Sequence, residues 1–232
     1  MHPRRSTCVG DLSSQFPKHH RQPALQSLNS PQTKRLSTMA RSRIYDEDLA
    51  TERAMTLFWR KGYEPTSITD LTEAMGINKG SLYHSFGSKQ NLFHTVFLKY
   101  NNDYRRETLN RMAQNPDPLA AIDDLFAEMV AQSLNDTEKK GCFVINTALE
   151  LEAHSPEVQA MVREGLAEFE DFFADKLTLA RDQGRLPVDF DVRGTAQALL
   201  ALETGLRVLA RGVFDAAALN TLRHQARRLT AV

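Results

Sequence analysis

Residues 66–86 read Thr-Ser-Ile-Thr-Asp-Leu-Thr-Glu-Ala-Met-Gly-Ile-Asn-Lys-Gly-Ser-Leu-Tyr-His-Ser-Phe, and their spacing predicts two short helices joined by a tight turn. Ser67 and Asp70 stand at the Ser-x-x-acid spacing of a helix start, where each side chain can satisfy the other's free backbone N–H. Leu71 and Ala74 face inward, Gly76 supplies the positive φ of a sharp turn, and Ile77 plugs that turn from the core side. The second helix, about two turns long, sets Asn78, Lys79, Gly80, Ser81, Tyr83 and His84 around Leu82 and Phe86. A short helix with a small, polar and cationic N-terminus can enter a major groove about 12 Å wide and reach base edges and phosphates. Gly80 allows close backbone approach, and Ser67, Thr69, Tyr83 and Lys89 carry groups suited to phosphate oxygens.

The flanking sequence predicts helices almost throughout and no strand. Asp46, Glu47 and Asp48 open a helix with an apolar face of Leu49, Ala54, Leu57 and Phe58, closed by Gly62. Ser88 caps a long helix through about Met112, with Leu92, Phe93, Val96, Phe97 and Tyr100 at helical spacing. Asn115-Pro116 ends it. A further helix carries Leu119, Ile122, Phe126, Met129 and Val130, and a loop at Lys139-Lys140-Gly141 precedes the apolar segment from Cys142 to Leu151. Ser155-Pro156-Glu157 starts the next helix, whose stripe runs from Val158 through Phe169, Phe172 and Phe173 to Leu177 before Gly184 and Pro187 stop it. Two more helices follow Asp191 and Asp215. The fold class is therefore all-α.

The chain of 232 residues has 29 Lys and Arg against 29 Asp and Glu, and a net charge of zero argues at first sight against a nucleic-acid partner. Residues 1–110 hold 16 Lys and Arg with 10 Asp and Glu, leaving 13 and 19 for residues 111–232, so the halves carry +6 and −6. Within residues 39–110 the balance is 10 against 9. Placed charges such as Lys79 and Lys89, rather than bulk positive charge, must supply any attraction to DNA. Residues 1–38, rich in Pro, Ser, Gln and His, read as a disordered tail, with a start at Met39 as the simpler alternative to a transit peptide. Cys8 and Cys142 lie in contexts too different for a disulfide, which fits a reducing cytoplasm. No apolar run approaches the length of a membrane span.

From about Arg43 to Tyr100 the chain resembles the DNA-binding domain of the TetR (TetR/AcrR) transcriptional regulators. Gly62-Tyr63, Thr66-Ser67, Gly76 through Phe86 and Ser88-Lys89 match in register, while Asn78 stands where Ser is more usual and Gly87 where Pro is common. Gly141-Cys142-Phe143 through Leu149-Glu150 resembles a recurring branch of the same family. The resemblance implies about nine helices, a DNA-binding domain over 43–103 and a ligand-binding and dimerisation domain over 104–232. It implies a cytoplasmic, nucleoid-associated, bacterial-type homodimer that binds a pseudo-palindromic double-stranded operator and leaves it when a small-molecule effector binds. The DNA-contact set is then Thr66, Ser67, Thr69, Asn78, Lys79, Gly80, Ser81, Tyr83, His84 and Lys89. Effector contacts fall on Phe126, Met129, Cys142, Ile145 and Phe169, and dimer contacts on Phe172, Leu199 and Leu206.

Bland readings stand beside these. Lys139 and Lys140 could lower the Cys142 thiol pKa and make it an electrophile sensor, but a small buried Cys is the commoner state. Glu150 and His154, one helical turn apart, could share a metal, yet no further ligands lie near them in sequence. No nucleophile elbow, His-Glu-x-x-His pair, phosphate loop or dinucleotide fingerprint is present, so neither an enzyme nor a cofactor is expected. A nucleoid-type DNA binder without effector stands as an alternative, and behind it a small all-α enzyme.

Overall fold

A computed structural model of the chain describes residues 45–231. The expected tail over 1–38, Cys8 and the alternative start at Met39 lie outside the described residues. Ten α-helices follow in order: α1 (Glu47–Lys61), α2 (Ile68–Met75), α3 (Lys79–Phe86), α4 (Lys89–Tyr100), α5 (Glu107–Ala113), α6 (Pro118–Asn135), α7 (Phe143–Leu149), α8 (Pro156–Asp182), α9 (Val192–Leu209) and α10 (Ala216–Leu229). A π-helical segment, Asn101–Arg106, joins α4 to α5 without a break, so the long helix expected from Ser88 to about Met112 is present with an extra register step inside it. Among the described residues there is no strand, and no helix is long and apolar enough to cross a membrane.

The helix starts follow the chemistry of their caps. Side chains of Asp46, Ser67, Asn78, Ser88, Asp117, Ser155, Asp191 and Asp215 each accept a hydrogen bond from a backbone N–H of the first turn. Ser67 and Asp70 form the full reciprocal capping box, and the Lys61 ammonium sits 2.6 Å from Asp70 Oδ2. Lys61 first, and then Ser67, hold the Asp70 carboxyl far below its usual range. Ser67→Ala should cost about 1 kcal/mol of folding stability, read as a lower urea midpoint at unchanged slope. An unaltered midpoint would mean that the box contributes nothing. Gly76 takes φ 69°, ψ 30°, the left-handed turn conformation that a side chain disfavours.

Two apolar clusters fill the interior. One joins α1 to α4 with α7 and the first part of α8, from Ala50 and Phe58 through Leu71, Leu82 and Phe93 to Phe143 and Val162. The other joins α5, α6, the rest of α8, α9 and α10, from Leu109 and Phe126 through Phe173 to Leu206 and Ala226. Core packing thus crosses the sequence position, near residue 103, at which two domains were expected to meet. Leu49, expected on the inner face of α1, is instead exposed.

Burial overturns the expected dimer contacts. Leu199 and Leu206 are 0% exposed within one chain and Phe172 is buried beside them, so all three belong to the second cluster rather than to a surface. On α9 the exposed residues are Arg193, Gln197 and Ala201, with Gly205 and Val208 half-buried. The stripe is apolar as its spacing predicts, but α8, α6 and α10 of the same chain cover it.

Candidate nucleic-acid interface and the cavity behind it

Helix α3 is held by Leu82 and Phe86, both buried, and turns Lys79, Gly80, Tyr83 and His84 to solvent. Lys79 Nζ lies 5.9 Å from the centre of the Tyr83 ring, so the cation and the phenol share one face. Asn78 is the N-cap, not a residue of the helix, and its Oδ1 accepts from Ser81 N at 2.8 Å. A Cβ on Gly80 would come 3.2 Å from that same oxygen. The Gly therefore serves the cap as well as close approach, and the cap takes the Ser81 N–H, leaving those of Lys79 and Gly80 without a partner in the helix. Thr69 is exposed at the start of α2. Ser67 is exposed, but its hydroxyl is committed to Asp70.

Two expected DNA contacts are placed differently. Thr66 is 1% exposed and donates its hydroxyl to Gly62 O at 2.6 Å, so it fastens the α1–α2 connection and offers nothing to a phosphate. The Lys89 ammonium lies 4.3 Å from the Tyr63 ring centre and 3.4 Å from Glu64 O. Burial lowers its pKa, and this lysine clamps the same connection.

That connection is tied to the helices behind it. Tyr63 N donates to Glu150 Oε2 at 3.2 Å. The Tyr63 ring lies 4.8 Å from His154, and His154 stacks on Phe93 at 4.5 Å. Burial keeps the His154 pKa below its ordinary value. Glu150 and His154 are thus braces between α1, α4 and the α7–α8 connection. Among the described residues no group of three His, Cys, Asp or Glu could hold a metal ion.

Behind this framework lies a cavity of about 660 Å³, bounded by α1, α4, the π segment, α5, α6, α8, α9 and the loop before α7. Trp59, Tyr100, Met129, Cys142 and Phe169 give it apolar and aromatic walls. Of the effector contacts expected from sequence, Met129, Cys142 and Phe169 line it. Phe126 and Ile145 do not: Phe126 stacks on Phe173 at 5.9 Å, and Ile145 is buried in the first cluster. Cys142 Sγ is 3.8 Å from Tyr100 Oη. Lys140 pairs with Asp136 and Glu138 and lies over the Trp59 ring. Trp59 Nε1 in turn donates to Gly141 O at 3.1 Å.

The polar floor of the cavity, Ser133, Glu203 and Arg207 with Arg105 nearby, was not foreseen. Arg105 is buried and held by Asn101 Oδ1, Gly165 O and Glu168 Oε2. Glu203 and Arg207 stand one turn apart inside the largely apolar run of α9, a polar pair at helical spacing that the sequence itself displays. Arg105 had no such signal, because the π segment rotates it inward out of the α-helical phase.

A three-helix unit with a capped, exposed second helix of the turn, braced on an all-helical body, defines a helix-turn-helix DNA-binding protein. Comparison with known proteins gives the family. Residues 50–96 match the family model for bacterial regulatory proteins of the tetR family, and residues 118–226 match the tetracyclin repressor-like C-terminal domain. An uncharacterized HTH-type transcriptional regulator of Bacillus subtilis, YezE, is 33% identical over 76% of this chain and 92% of its own length. The Escherichia coli HTH-type transcriptional repressor ComR is 29% identical over 74% of this chain and 82% of its own. Among solved structures, a cysteine variant of the TetR-family regulator CifR, complexed with 26-bp double-strand operator DNA, superposes with a TM-score of 0.71. It is 31% identical and covers 81% of this chain and 98% of that one. The chain belongs to the TetR family of DNA-binding transcriptional regulators, which are not enzymes.

Proposed function

We propose that the protein is a cytoplasmic homodimeric repressor that binds a pseudo-palindromic operator through α3 and is released when a small organic molecule occupies the cavity. The observation that carries this reading is the cavity's wall: Trp59 belongs to α1 and Tyr100 to α4, the two helices that carry the helix-turn-helix. An occupant touches the DNA-binding unit directly. Occupancy shifts the DNA equilibrium only as far as the occupant favours the released arrangement over the bound one.

The operator-bound CifR complex supports the groove assignment by similarity of fold and sequence. In a dimer, two copies of α3 spaced by roughly 34–36 Å would enter successive major grooves on one DNA face. The pairing surface is the outward side of α8 and α9, with Ala167 and Asp171 on one helix and Gln197, Ala201 and Gly205 on the other. A side-chain carbon on Gly205 would meet nothing within 4 Å inside the subunit, which leaves room for close helix approach by a second copy.

The direct test is fluorescence anisotropy on DNA from the promoter region beside the gene, over a salt series. Lys79→Ala should weaken operator binding about tenfold and reduce the salt slope by about one ion, with folding unchanged because Lys79 is solvent-exposed. Equal affinity for the variant and the parent at every salt concentration would remove α3 from the groove. An operator complex of one chain per site would reject the dimer.

A further inference from the structure

Four buried side-chain atoms in the described residues lack a hydrogen-bond partner: Ser133 Oγ, His154 Nε2, Glu203 Oε2 and Arg207 Nε. Three of these, from Ser133, Glu203 and Arg207, belong to residues lining the one cavity. Buried polar groups are nearly always satisfied, and each orphan costs desolvation without return. All three residues border the same cavity, whose lining is thus short of hydrogen-bond partners.

The signs of these groups choose the occupant. Around the cavity the cations are mostly neutralised: Arg105 by Glu168, Arg111 by Glu128, and Lys140 by Asp136 and Glu138. Arg207 has no carboxylate within salt-bridge distance among the described residues, and its terminal nitrogen donates only to the neutral Gln132 side chain, at 2.8 Å. Glu203, one turn away, is 1% exposed. Arg207 from its own helix and Arg105 from the π segment face it and draw its pKa down, yet burial outweighs both and lifts it to about 8. At neutral pH the floor therefore presents one uncompensated guanidinium, a hydroxyl and a carboxylic acid, and all three can donate.

We propose that the cavity binds a hydrophobic monocarboxylate, whose carboxylate pairs with the Arg207 guanidinium beside Ser133 and the Glu203 carboxyl while its apolar body faces Trp59, Tyr100 and Phe169. This deepens the effector reading above and rests on it for its biological meaning, but not for its chemistry. A cationic amine is the opposite case: it would use Glu203 as a carboxylate and would have to approach the uncompensated Arg207. The anion brings an opposite charge to Arg207 and leaves the Glu203 proton in place.

Trp59 is the single tryptophan of the sequence and lines the cavity, so its emission reports occupancy directly. The full-length protein is titrated with benzoate, phenylacetate, cinnamate and hexanoate, and with the amide and the amine matched to each. At pH 7 at least one carboxylate should perturb Trp59 emission and bind about tenfold or more tightly than its amide, with the amine weaker still. Arg207→Gln should reduce that affinity at least tenfold. Wild-type binding should fall as pH rises through about 8, where Glu203 ionises and repels the ligand. Glu203→Gln, which keeps a donor and cannot ionise, should retain binding at higher pH. Tighter binding of an amine than of its carboxylate overturns the proposal, and so does failure of every carboxylate to bind. Operator anisotropy is run in parallel: a carboxylate that binds with the expected charge preference but leaves operator affinity unchanged rejects the effector reading and leaves the site standing.

Discussion

Replacing Glu203 with Gln should stabilise the ligand-free protein by roughly 3–5 kcal/mol at pH 8 while leaving it close to wild type at pH 4.5. Glu203 is wholly buried, and burial raises its pKa from an ordinary 4.5 to about 8. In the unfolded chain the carboxyl loses its proton near 4.5, whereas in the folded chain it keeps the proton until about 8. The folded state therefore binds more protons across that interval, and stability falls steadily as pH rises from 4.5 to 8 and levels off above it. A Gln cannot ionise in either state, so the variant lacks this slope. Both side chains leave a polar atom unpaired at the same place, so desolvation of the neutral form largely cancels between them. Urea unfolding from pH 4.5 to 9 reads the difference. Parallel stability curves for the two proteins would mean that Glu203 is charged in the fold, compensated by Arg207, and that the cavity floor is neutral.

The same residue marks where sequence reading ran out. Helix starts and stops were legible because caps are local: Ser67 with Asp70, Ser88, Ser155 before Pro156, and the turn at Gly76 all sit where short-range chemistry requires them. Which face each stripe covers depends on the tertiary arrangement, and there the reading failed in a consistent direction. The sequence points Phe172, Leu199 and Leu206 to a second subunit and Phe126 and Ile145 to a ligand, but the chain's own helices bury all five. Apolar side chains at helical spacing first supply the core, and function is left to the polar exceptions within them. Glu203 and Arg207, on a helix otherwise composed largely of Ala, Leu, Gly and Thr, were the better guide. Thr66 and Lys89 show the same limit at the other end of the molecule. Their chemistry suits a phosphate, but the α1–α2 connection uses it first. The recognition helix escaped this problem because its inward set, Leu82 and Phe86, is small enough to leave the remaining residues free.

Phe143→Ala should lower folding stability by about 3–5 kcal/mol and weaken the tie between the helix-turn-helix unit and the helices behind it. Phe143 opens α7 and is 2% exposed. Its ring is stacked 6.0 Å from Trp59 and meets Phe93, Phe97 and Tyr100 edge-on at 5.6, 5.4 and 5.5 Å. One side chain from the C-terminal half thus touches both α1 and α4, and truncation removes four aromatic contacts while leaving a cavity that the stiff flanking helices cannot close. The remaining braces, Glu150 on Tyr63 N and His154 on Phe93, are held by partners of their own and do not replace the Phe143 ring. Thermal unfolding should therefore shift downward in midpoint. Hydrogen exchange in α1 and α4 should quicken more than in α6 and α10, which pack in the other apolar cluster. If Trp59 is a conduit between cavity and recognition helix, the variant should also respond less to a bound carboxylate at the operator than the parent does. A loss below about 1 kcal/mol, or exchange quickened equally in α6 and α10, would place the joint elsewhere than at Phe143.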